Sequence, residues 1–279
     1  MRSLLYVPGS SVKMIAKAQG SAADGIILDL EDSIPPDQKE SARETVARAL
    51  SEFDFGSKQV FVRINSLATS HSIEDARAIA ASGKAGILIP KVQSPDDITT
   101  IAPILASGPS GNRPQRLLCL IESPRGVLSC HEIARTSSVV AGLVFGLADL
   151  VREIGCRLTA GEPEMLYARS HVLLAARATG LEAFDSPHFG IEDLDGVYRA
   201  CQAARHLGYD GKTIIHPSHI AIVNEAFDPT VTEIAEAKRV VAALEEAAAA
   251  GRGAIALDGQ LIDQVHLAQA RKVLDRALR

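Results

Sequence analysis

Eight short runs of apolar, mostly β-branched residues recur along the chain at intervals of about 25 to 35 residues. Most runs are continuous rather than alternating, which is typical of parallel strands buried on both faces. Helical signals separate them: Ser94 and Pro95 read as an N-cap and first helical position, and Pro163 opens a stretch that extends to Gly180. The predicted strands cover residues 4–7, 26–30, 60–64, 87–90, 117–121, 143–147, 182–184 and 213–215.

This alternation of strand and helix predicts an α/β fold of the (β/α)8 or TIM-barrel class. A doubly wound open sheet is the alternative, and the count of eight strands favours closure. A chain of 279 residues, 47% of them hydrophobic, has enough apolar surface for one large core. We therefore expect a catalytic barrel at residues 1–225 and a C-terminal helical extension at 226–279.

The predicted extension has no further convincing strand. Two helices are expected, separated by a glycine-rich loop at 251–259. Because a tail that is not needed to close the barrel must pack somewhere, we expect it to lie on a neighbouring subunit rather than on its own barrel. The residues at helical spacing are Ile234, Ala237, Val241, Leu244 and Ala248, then Leu267, Ala270, Leu274 and Ala277.

Charge and composition exclude several classes of function. The net charge is −5, and acidic and basic residues are interspersed, so neither nucleic acid nor a lipid surface is an expected partner. The apolar run before Pro8 is too short for a signal sequence or a membrane span, and we expect a cytoplasmic protein. The four cysteines lack metal-site spacing and are interpreted as reduced thiols.

Polar and charged residues stand where almost every predicted strand ends. In a (β/α)8 barrel the catalytic groups lie at these carboxyl ends, so the side chains are expected to converge on one mouth. The residues are Asp29, Glu31 and Asp32 after strand two, Arg63 after strand three, Lys91 after strand four, Glu122 after strand five, Asp149 after strand six, Asp185 after strand seven and His216 after strand eight.

Crowded carboxylates cannot all ionise without a counter-charge, and a divalent cation supplies one. The absence of a cysteine and histidine cluster argues against zinc, whereas carboxylate oxygens with several waters are the ligands that Mg²⁺ prefers, with Mn²⁺ as a substitute. Glu122 and Asp149 are the predicted metal ligands. The alternative is structural: either carboxylate caps a helix or pairs with Arg125 or Arg152.

Two further elements are predicted to bind the anionic parts of a substrate. The segment of Gly146, Leu147, Ala148 and Asp149 leads into a helix whose free backbone N–H groups suit a carboxylate, although Gly146 alone would equally fit a tight turn. Arg63 ends a buried strand and is expected to face an enolate or alkoxide oxygen. Its structural alternative is a salt bridge to the acidic residues after strand two.

The chain resembles the citrate lyase β-subunit, malyl-CoA lyase and citramalyl-CoA lyase group of the HpcH/HpaI aldolase superfamily. The matching strings run in order through almost the whole chain, which makes the match specific although each string alone is weak. They are LYVPGS at 5–10, LDLED at 28–32, VRIN at 62–65, IPKV at 89–92, IES at 121–123, GLAD at 146–149, GK at 211–212, IHP at 215–217 and LID at 261–263.

The resemblance implies that Glu122 and Asp149 ligate Mg²⁺, that Arg63 binds the substrate carbonyl oxygen and that Asp263 reaches the active site of an adjacent subunit. It also implies a homotrimer or homohexamer. The residues implied for coenzyme A are Tyr6, Pro8, Gly9 and Lys17, with Lys13 in place of an arginine that many relatives have where this chain has Ser11.

The activity implied is cleavage or formation of a 3-hydroxyacyl-CoA such as malyl-CoA, citramalyl-CoA or citryl-CoA, with acetyl-CoA and a 2-oxo acid as the other reactants. The alternatives are a citryl-carrier-protein lyase subunit, a metal-dependent aldolase that acts on free 2-oxo acids, a Schiff-base aldolase that uses Lys91, and a non-catalytic thioester-binding protein. The acyl substrate itself stays open, because these groups differ by one or two small substituents.

Overall fold

The eight predicted strands form one closed, parallel barrel in which strand order follows the sequence and the last strand pairs with the first. The computed structural model describes residues 1–109 and 116–278. The prediction of a (β/α)8 barrel is therefore confirmed. The strands are β1 (Ser3–Pro8), β2 (Gly25–Asp29), β3 (Gln59–Arg63), β4 (Gly86–Ile89), β5 (Leu117–Ile121), β6 (Val140–Phe145), β7 (Glu182–Asp185) and β8 (Gly211–Ile214).

Helices surround this barrel and follow the strands along the chain. The helix after β4 begins at the predicted signals, Ser94 and Pro95, and Ser94 forms a capping box with Asp97. Ser123 caps the helix after β5. The helices are α1 (Val12–Gln19), α2 (Lys39–Glu52), α3 (Ser72–Ser82), α4 (Pro95–Ala106), α5 (Pro124–Arg135), α6 (Leu147–Ile154), α7 (Leu166–Ala178), α8 (Leu194–Leu207) and α9 (Ile220–Phe227).

Two apolar layers hold the barrel together. The larger layer lies between strands and helices, and the smaller fills the barrel interior with alternate strand residues such as Leu4, Ile27, Phe61 and Val144. Because the interior is packed with these side chains, the barrel is not a pore. Polar chemistry is left to the ends of the strands.

The chain divides into two compact units, Met1–Phe227 and Asp228–Arg279. The second unit contains α10 (Val231–Ala249), a hairpin of β9 (Ile255–Leu257) and β10 (Gln260–Ile262), and α11 (Gln264–Ala277). Its core consists of Leu244, Ile262 and Leu267. No helix within the described residues is long and apolar enough to cross a membrane.

Three details of the sequence interpretation are wrong. The glycine-rich segment is not a plain loop, because Asp258 and Gly259 take positive φ values of 50° and 80° and form the tight turn of the β9–β10 hairpin. Strand six runs from Val140 to Phe145, since Gly146 already caps α6 and Leu147 is helical. Lys212 does not precede strand eight but lies inside β8.

Candidate active site

A cavity of about 410 Å³ opens at the carboxyl ends of the barrel strands. Asp29, Asp32, Arg63, Glu122 and Asp149 line it, so five of the predicted strand-end residues share one chamber. Apolar side chains complete the wall. The sequence interpretation did not single out these apolar residues, which are Val7, Leu120, Phe145, Pro187, Phe189 and Ile215.

Glu122 is a buried carboxylate with one hydrogen-bond donor. It is 4% exposed, and its Oε1 accepts the backbone N–H of Lys91 at 2.8 Å. None of the ion pairs among the described residues involves it. Burial, reinforced by the charges of Asp149 and Glu31, raises the pKa of Glu122 to about 8. The positive charge of Arg63 lowers this pKa, but it does not offset burial and the two acidic neighbours.

Gly146 makes the space that Glu122 occupies. A Cβ atom at Gly146 would lie 2.4 Å from the Glu122 Cβ and 2.8 Å from its Oε2. The glycine φ of −103° is open to any residue, so the alternative that Gly146 only permits a tight turn is wrong. What this position requires is the absence of a side chain.

Asp149 is the third residue of α6 and lies in its first turn; Gly146 is the N-cap of this helix. Its Oδ1 pairs with Nη2 of Arg152 at 2.6 Å, which is the structural alternative considered from sequence. The Arg152 side chain is 70% exposed and the Asp149 side chain 17%, so solvent at the arginine end screens this pair. Asp149 thus remains available to a ligand in the cavity.

These two carboxylates fit a Mg²⁺ ion whose other ligands are waters and substrate. The described residues contain no group of three or more His, Cys, Asp or Glu side chains arranged to hold a metal. Mg²⁺ does not need such a cage, because it retains several waters and is commonly bound through one or two carboxylates. Glu122 is buried and belongs to no ion pair among the described residues, so its carboxylate favours a positive charge here.

Arg63 lines the same cavity as Glu122 and Asp149, and two hydrogen bonds fix its orientation. Its Nε and Nη2 donate to Asp29 Oδ1 and Oδ2 at 2.6 and 2.7 Å, a two-pronged contact. The salt bridge weighed as an alternative therefore exists. Burial alone would raise the pKa of Asp29, but Arg63 outweighs burial and the pKa is lowered. Arg63 still lines the cavity, and its guanidinium lies 4.9 Å from the Tyr6 ring centroid.

Glu31 and Lys91 form a second pair at the mouth. Lys91 Nζ donates to Glu31 Oε1 at 2.6 Å and lies 3.7 Å from Asp32. Burial alone would lower the pKa of Lys91, but the hydrogen bond and charge of Glu31 outweigh it and the pKa is raised. A Schiff-base lysine needs a lowered pKa, so this environment counts against that alternative.

The residues implied for coenzyme A lie on β1, in the loop after it and on α1. Tyr6 packs against the barrel interior and Pro8 lines the cavity. A Cβ at Gly9 would lie 2.7 Å from the Asp29 carbonyl oxygen, so this glycine allows close packing of the backbone. Lys13 and Lys17 are exposed on α1, whose N-cap is Ser11.

Four of the predicted strand-end residues are not among those that line the cavity: Glu31, Lys91, Asp185 and His216. His216 caps a short 3-10 turn, with Nδ1 2.7 Å from Ser218 Oγ, and is absent from the described cavity wall. Asp185 points away from the mouth into a buried ion network with Lys212 and Arg169. For Asp185 and His216, a position at the end of a strand does not bring the side chain to the cavity.

Asp263 belongs to the second unit, where it is the N-cap of α11. Its Oδ1 accepts the Val265 N–H at 3.0 Å and lies 2.8 Å from His266 Nδ1. The hydrogen bond with His266 lowers the pKa of Asp263. The carboxylate is exposed and ionised, in the charge state of a base.

The sequence model of one protein family, HpcH/HpaI aldolase/citrate lyase, matches residues 2–217. A second model, of carbon–carbon bond lyases of the TIM-barrel fold, matches residues 165–278. The chain belongs to the HpcH/HpaI aldolase/citrate lyase family. The resemblance inferred from its motifs is confirmed, and the family is one of carbon–carbon lyases.

Relatives in the family match nearly the whole chain. A (3S)-malyl-CoA thioesterase of Cereibacter sphaeroides is 38% identical, over 99% of this chain and 94% of its own. The citrate lyase subunit beta of Leuconostoc mesenteroides is 36% identical, over 99% and 93%. The structure of CitE from Mycobacterium tuberculosis with magnesium, acetoacetate and coenzyme A has a TM-score of 0.84 at 31% identity and covers 100% of this chain and 98% of that one.

Proposed function

We propose that this protein is a Mg²⁺-dependent carbon–carbon lyase. It cleaves a 3-hydroxyacyl-CoA, such as malyl-CoA, citramalyl-CoA or citryl-CoA, into acetyl-CoA and a 2-oxo acid, and it catalyses the reverse condensation. The observation that carries the proposal is the placement of the buried Glu122 carboxylate in one cavity with Asp149 and the Arg63 guanidinium, which Asp29 holds. That combination suits chemistry in which an oxygen atom gains negative charge.

Glu122 and Asp149 would hold the metal. A bound Mg²⁺ supplies Lewis acidity, which stabilises negative charge on the oxygen at the carbon that is cleaved or formed. The chain itself fixes the orientation of Glu122, through the Lys91 N–H on one oxygen and the bare Gly146 Cα beside the other. The magnesium ion in the CitE structure supports the choice of metal.

Arg63 donates to the same substrate oxygen. Asp29 holds its Nε and Nη2, so the guanidinium keeps one orientation and pays little reorganisation as charge develops. The carboxylate of the 2-oxo acid lies at the start of α6. There the backbone N–H groups of Leu147, Ala148 and Asp149 have no partner within the helix, and Gly146 provides no side-chain cap.

Proton transfer falls to Asp263 of a neighbouring copy. In condensation its carboxylate removes a proton from the thioester methyl group, and the resulting enolate carbon attacks the 2-oxo acid. In cleavage the hydroxyl proton leaves to solvent and the bond breaks toward the thioester. Asp263, which first takes up a proton from solvent, gives that proton to the enolate carbon. The lowered pKa of Asp263 keeps the carboxylate in the ionised form that a base requires. A homotrimer or homohexamer would bring it there.

Coenzyme A would bind at the start of the chain. Tyr6 and Pro8 form the wall next to Arg63 and would contact the thioester end, while Gly9 keeps the loop close to the barrel. The exposed Lys13 and Lys17 supply cations for the phosphates. Coenzyme A in the CitE structure supports a thioester substrate.

A second candidate is hydrolysis of the thioester bond of malyl-CoA. The (3S)-malyl-CoA thioesterase relative at 38% identity favours it. The two reactions differ in products. A lyase yields acetyl-CoA and glyoxylate, which keeps the sulfur acylated, whereas a thioesterase yields malate and a free coenzyme A thiol.

The test is an assay of the purified protein with Mg²⁺ against malyl-CoA, citramalyl-CoA and citryl-CoA, with and without EDTA. Release of acetyl-CoA that EDTA abolishes supports the proposal and identifies the substrate. Release of free thiol alone supports the thioesterase. No turnover of any thioester by protein that binds Mg²⁺ rejects the proposal, and turnover of a carrier-protein thioester or of free 2-oxo acids would then decide between the two remaining lyase alternatives.

A further inference from the structure

Lys91 has an unusual backbone conformation for a residue with a side chain. Its φ is +52°, in the left-handed region that a Cβ atom disfavours. It follows Pro90 at the end of β4, at the mouth of the barrel. Such residues persist only where the surroundings hold them, and they concentrate at functional sites.

The strand register shows what this conformation does. Ile87 pairs with Leu117 and donates its N–H to the Arg116 carbonyl, so the regular ladder would give the Leu120 carbonyl to the N–H of Lys91. Val92 takes that carbonyl instead, at 3.2 Å. Lys91 is therefore the extra residue of a bulge, and its N–H is released from the ladder.

The Lys91 N–H, which is free of the strand ladder, points to the carboxylate of Glu122. It donates to Glu122 Oε1 at 2.8 Å. The other oxygen, Oε2, lies on the side of Gly146, where an added Cβ would approach it to 2.8 Å. Gly146 immediately precedes the helix that carries Asp149. One oxygen is thus occupied, and the other is left on the Asp149 side.

The lysine side chain explains why the position is not a glycine. Nζ contacts Glu31 Oε1 at 2.6 Å, and Glu31 is only 5% exposed. This ion pair ties the bulge after β4 to the segment after β2, so it stabilises the left-handed conformation that glycine would adopt freely.

We propose that Lys91 is a positioning residue of the metal site that acts through its main chain: the left-handed bulge aims its N–H at Glu122 Oε1 and leaves Oε2 for the metal. This inference rests on the proposed function only in taking Glu122 as a metal ligand. The Lys91 ammonium is the anchor of the bulge, and the backbone N–H is the group that orients Glu122.

The test compares two variants that both lose the ammonium group. Lys91→Asn keeps a residue that tolerates the left-handed region, whereas Lys91→Val places a β-branched residue there. The readout is the dissociation constant for Mn²⁺, measured by electron paramagnetic resonance on the whole protein without substrate. We expect Lys91→Val to bind Mn²⁺ about 10- to 100-fold more weakly than Lys91→Asn, the loss typical when a partner of a metal ligand is removed.

Equal Mn²⁺ affinities in the two variants would overturn the proposal, whether both match the parent protein or both fall, because the main chain would then have no effect of its own. If Lys91→Val does not fold, Lys91→Ala replaces it with the same expected direction. Saturating Mg²⁺ should restore the kcat of Lys91→Val, which a general loss of structure would not allow.

Glu122→Gln separates this inference from the proposed function. If Glu122→Gln binds Mn²⁺ like the parent protein, Glu122 is not a ligand and the proposed metal site fails. If Glu122→Gln loses Mn²⁺ while Lys91→Val retains it, the metal site stands and only the role of Lys91 fails.

Discussion

The substitution Gly146→Ala should weaken metal binding because its Cβ would occupy the space of Glu122. The added atom would lie 2.4 Å from the Glu122 Cβ, whereas packed carbon atoms are about 3.5 to 4.0 Å apart. Overpacking of this kind costs about 1 to 3 kcal/mol. Side-chain rotation does not move the Glu122 Cβ, so the backbone that carries Glu122 must shift to relieve the contact. If that shift displaces the carboxylate, the cost falls on metal affinity, and the dissociation constant rises about 5- to 150-fold.

The assay is Mn²⁺ titration by isothermal calorimetry alongside thermal unfolding without metal. Gly20→Ala is the matched control: Gly20 has a φ of −85°, and its nearest neighbour to an added Cβ is 3.9 Å away. We expect the control to keep the Mn²⁺ affinity of the parent protein. A Gly146→Ala protein that bound Mn²⁺ as tightly as the control, with or without a lower Tm, would refute the view that this glycine sets the position of Glu122.

Three further predictions concern the charged residues. Arg63→Lys loses the two-pronged contact with Asp29 and should lower kcat about 10²- to 10³-fold, measured with saturating thioester; an unchanged kcat would remove Arg63 from the chemistry. Because the pKa of Glu122 is raised to about 8, its proton must leave for metal to bind, so the Mn²⁺ dissociation constant should fall about tenfold per pH unit up to about pH 8 and then level off. The same raised pKa means that the free energy of unfolding of the metal-free protein falls as pH rises from the pKa of Glu in the unfolded chain toward 8. If neither the Mn²⁺ dissociation constant nor the free energy of unfolding changed over this pH range, Glu122 would not be the group that titrates. Lys212→Met leaves the buried Asp185 carboxylate with Arg169 as its remaining cation, and it should lower the free energy of unfolding, measured in urea, by about 3 kcal/mol. The control Lys17→Met removes an exposed lysine and should leave this free energy unchanged.

The barrel was predictable because its strands are buried on both faces and read as apolar runs. Strand ends were harder. β6 was placed late because Gly146 and Leu147 continue the apolar run, although the chain there has already entered α6. The β9–β10 hairpin was missed because three-residue strands carry little periodic signal, yet the Asp258–Gly259 pair was a usable turn signal.

The site was partly predictable for the same reason. Placement at a strand end correctly brought Arg63, Glu122 and Asp149 to one cavity. It failed for Asp185, because the preceding residue of β7, Phe184, faces the barrel interior and successive strand residues point to opposite faces. It also gave no sign that Lys91 forms a bulge, since hydrogen-bond register depends on the neighbouring strand and not on local sequence.

The most direct test of carbon–carbon lyase chemistry follows the bond itself. (3S)-Malyl-CoA labelled with ¹³C at C2 and C3 is incubated with the protein and Mg²⁺, and the coupling between the two carbons is followed by ¹³C NMR. The proposed lyase predicts loss of this coupling, with C2 in acetyl-CoA and C3 in glyoxylate, and no loss in the presence of EDTA. Labelled malate with its coupling intact, together with free coenzyme A, would contradict it.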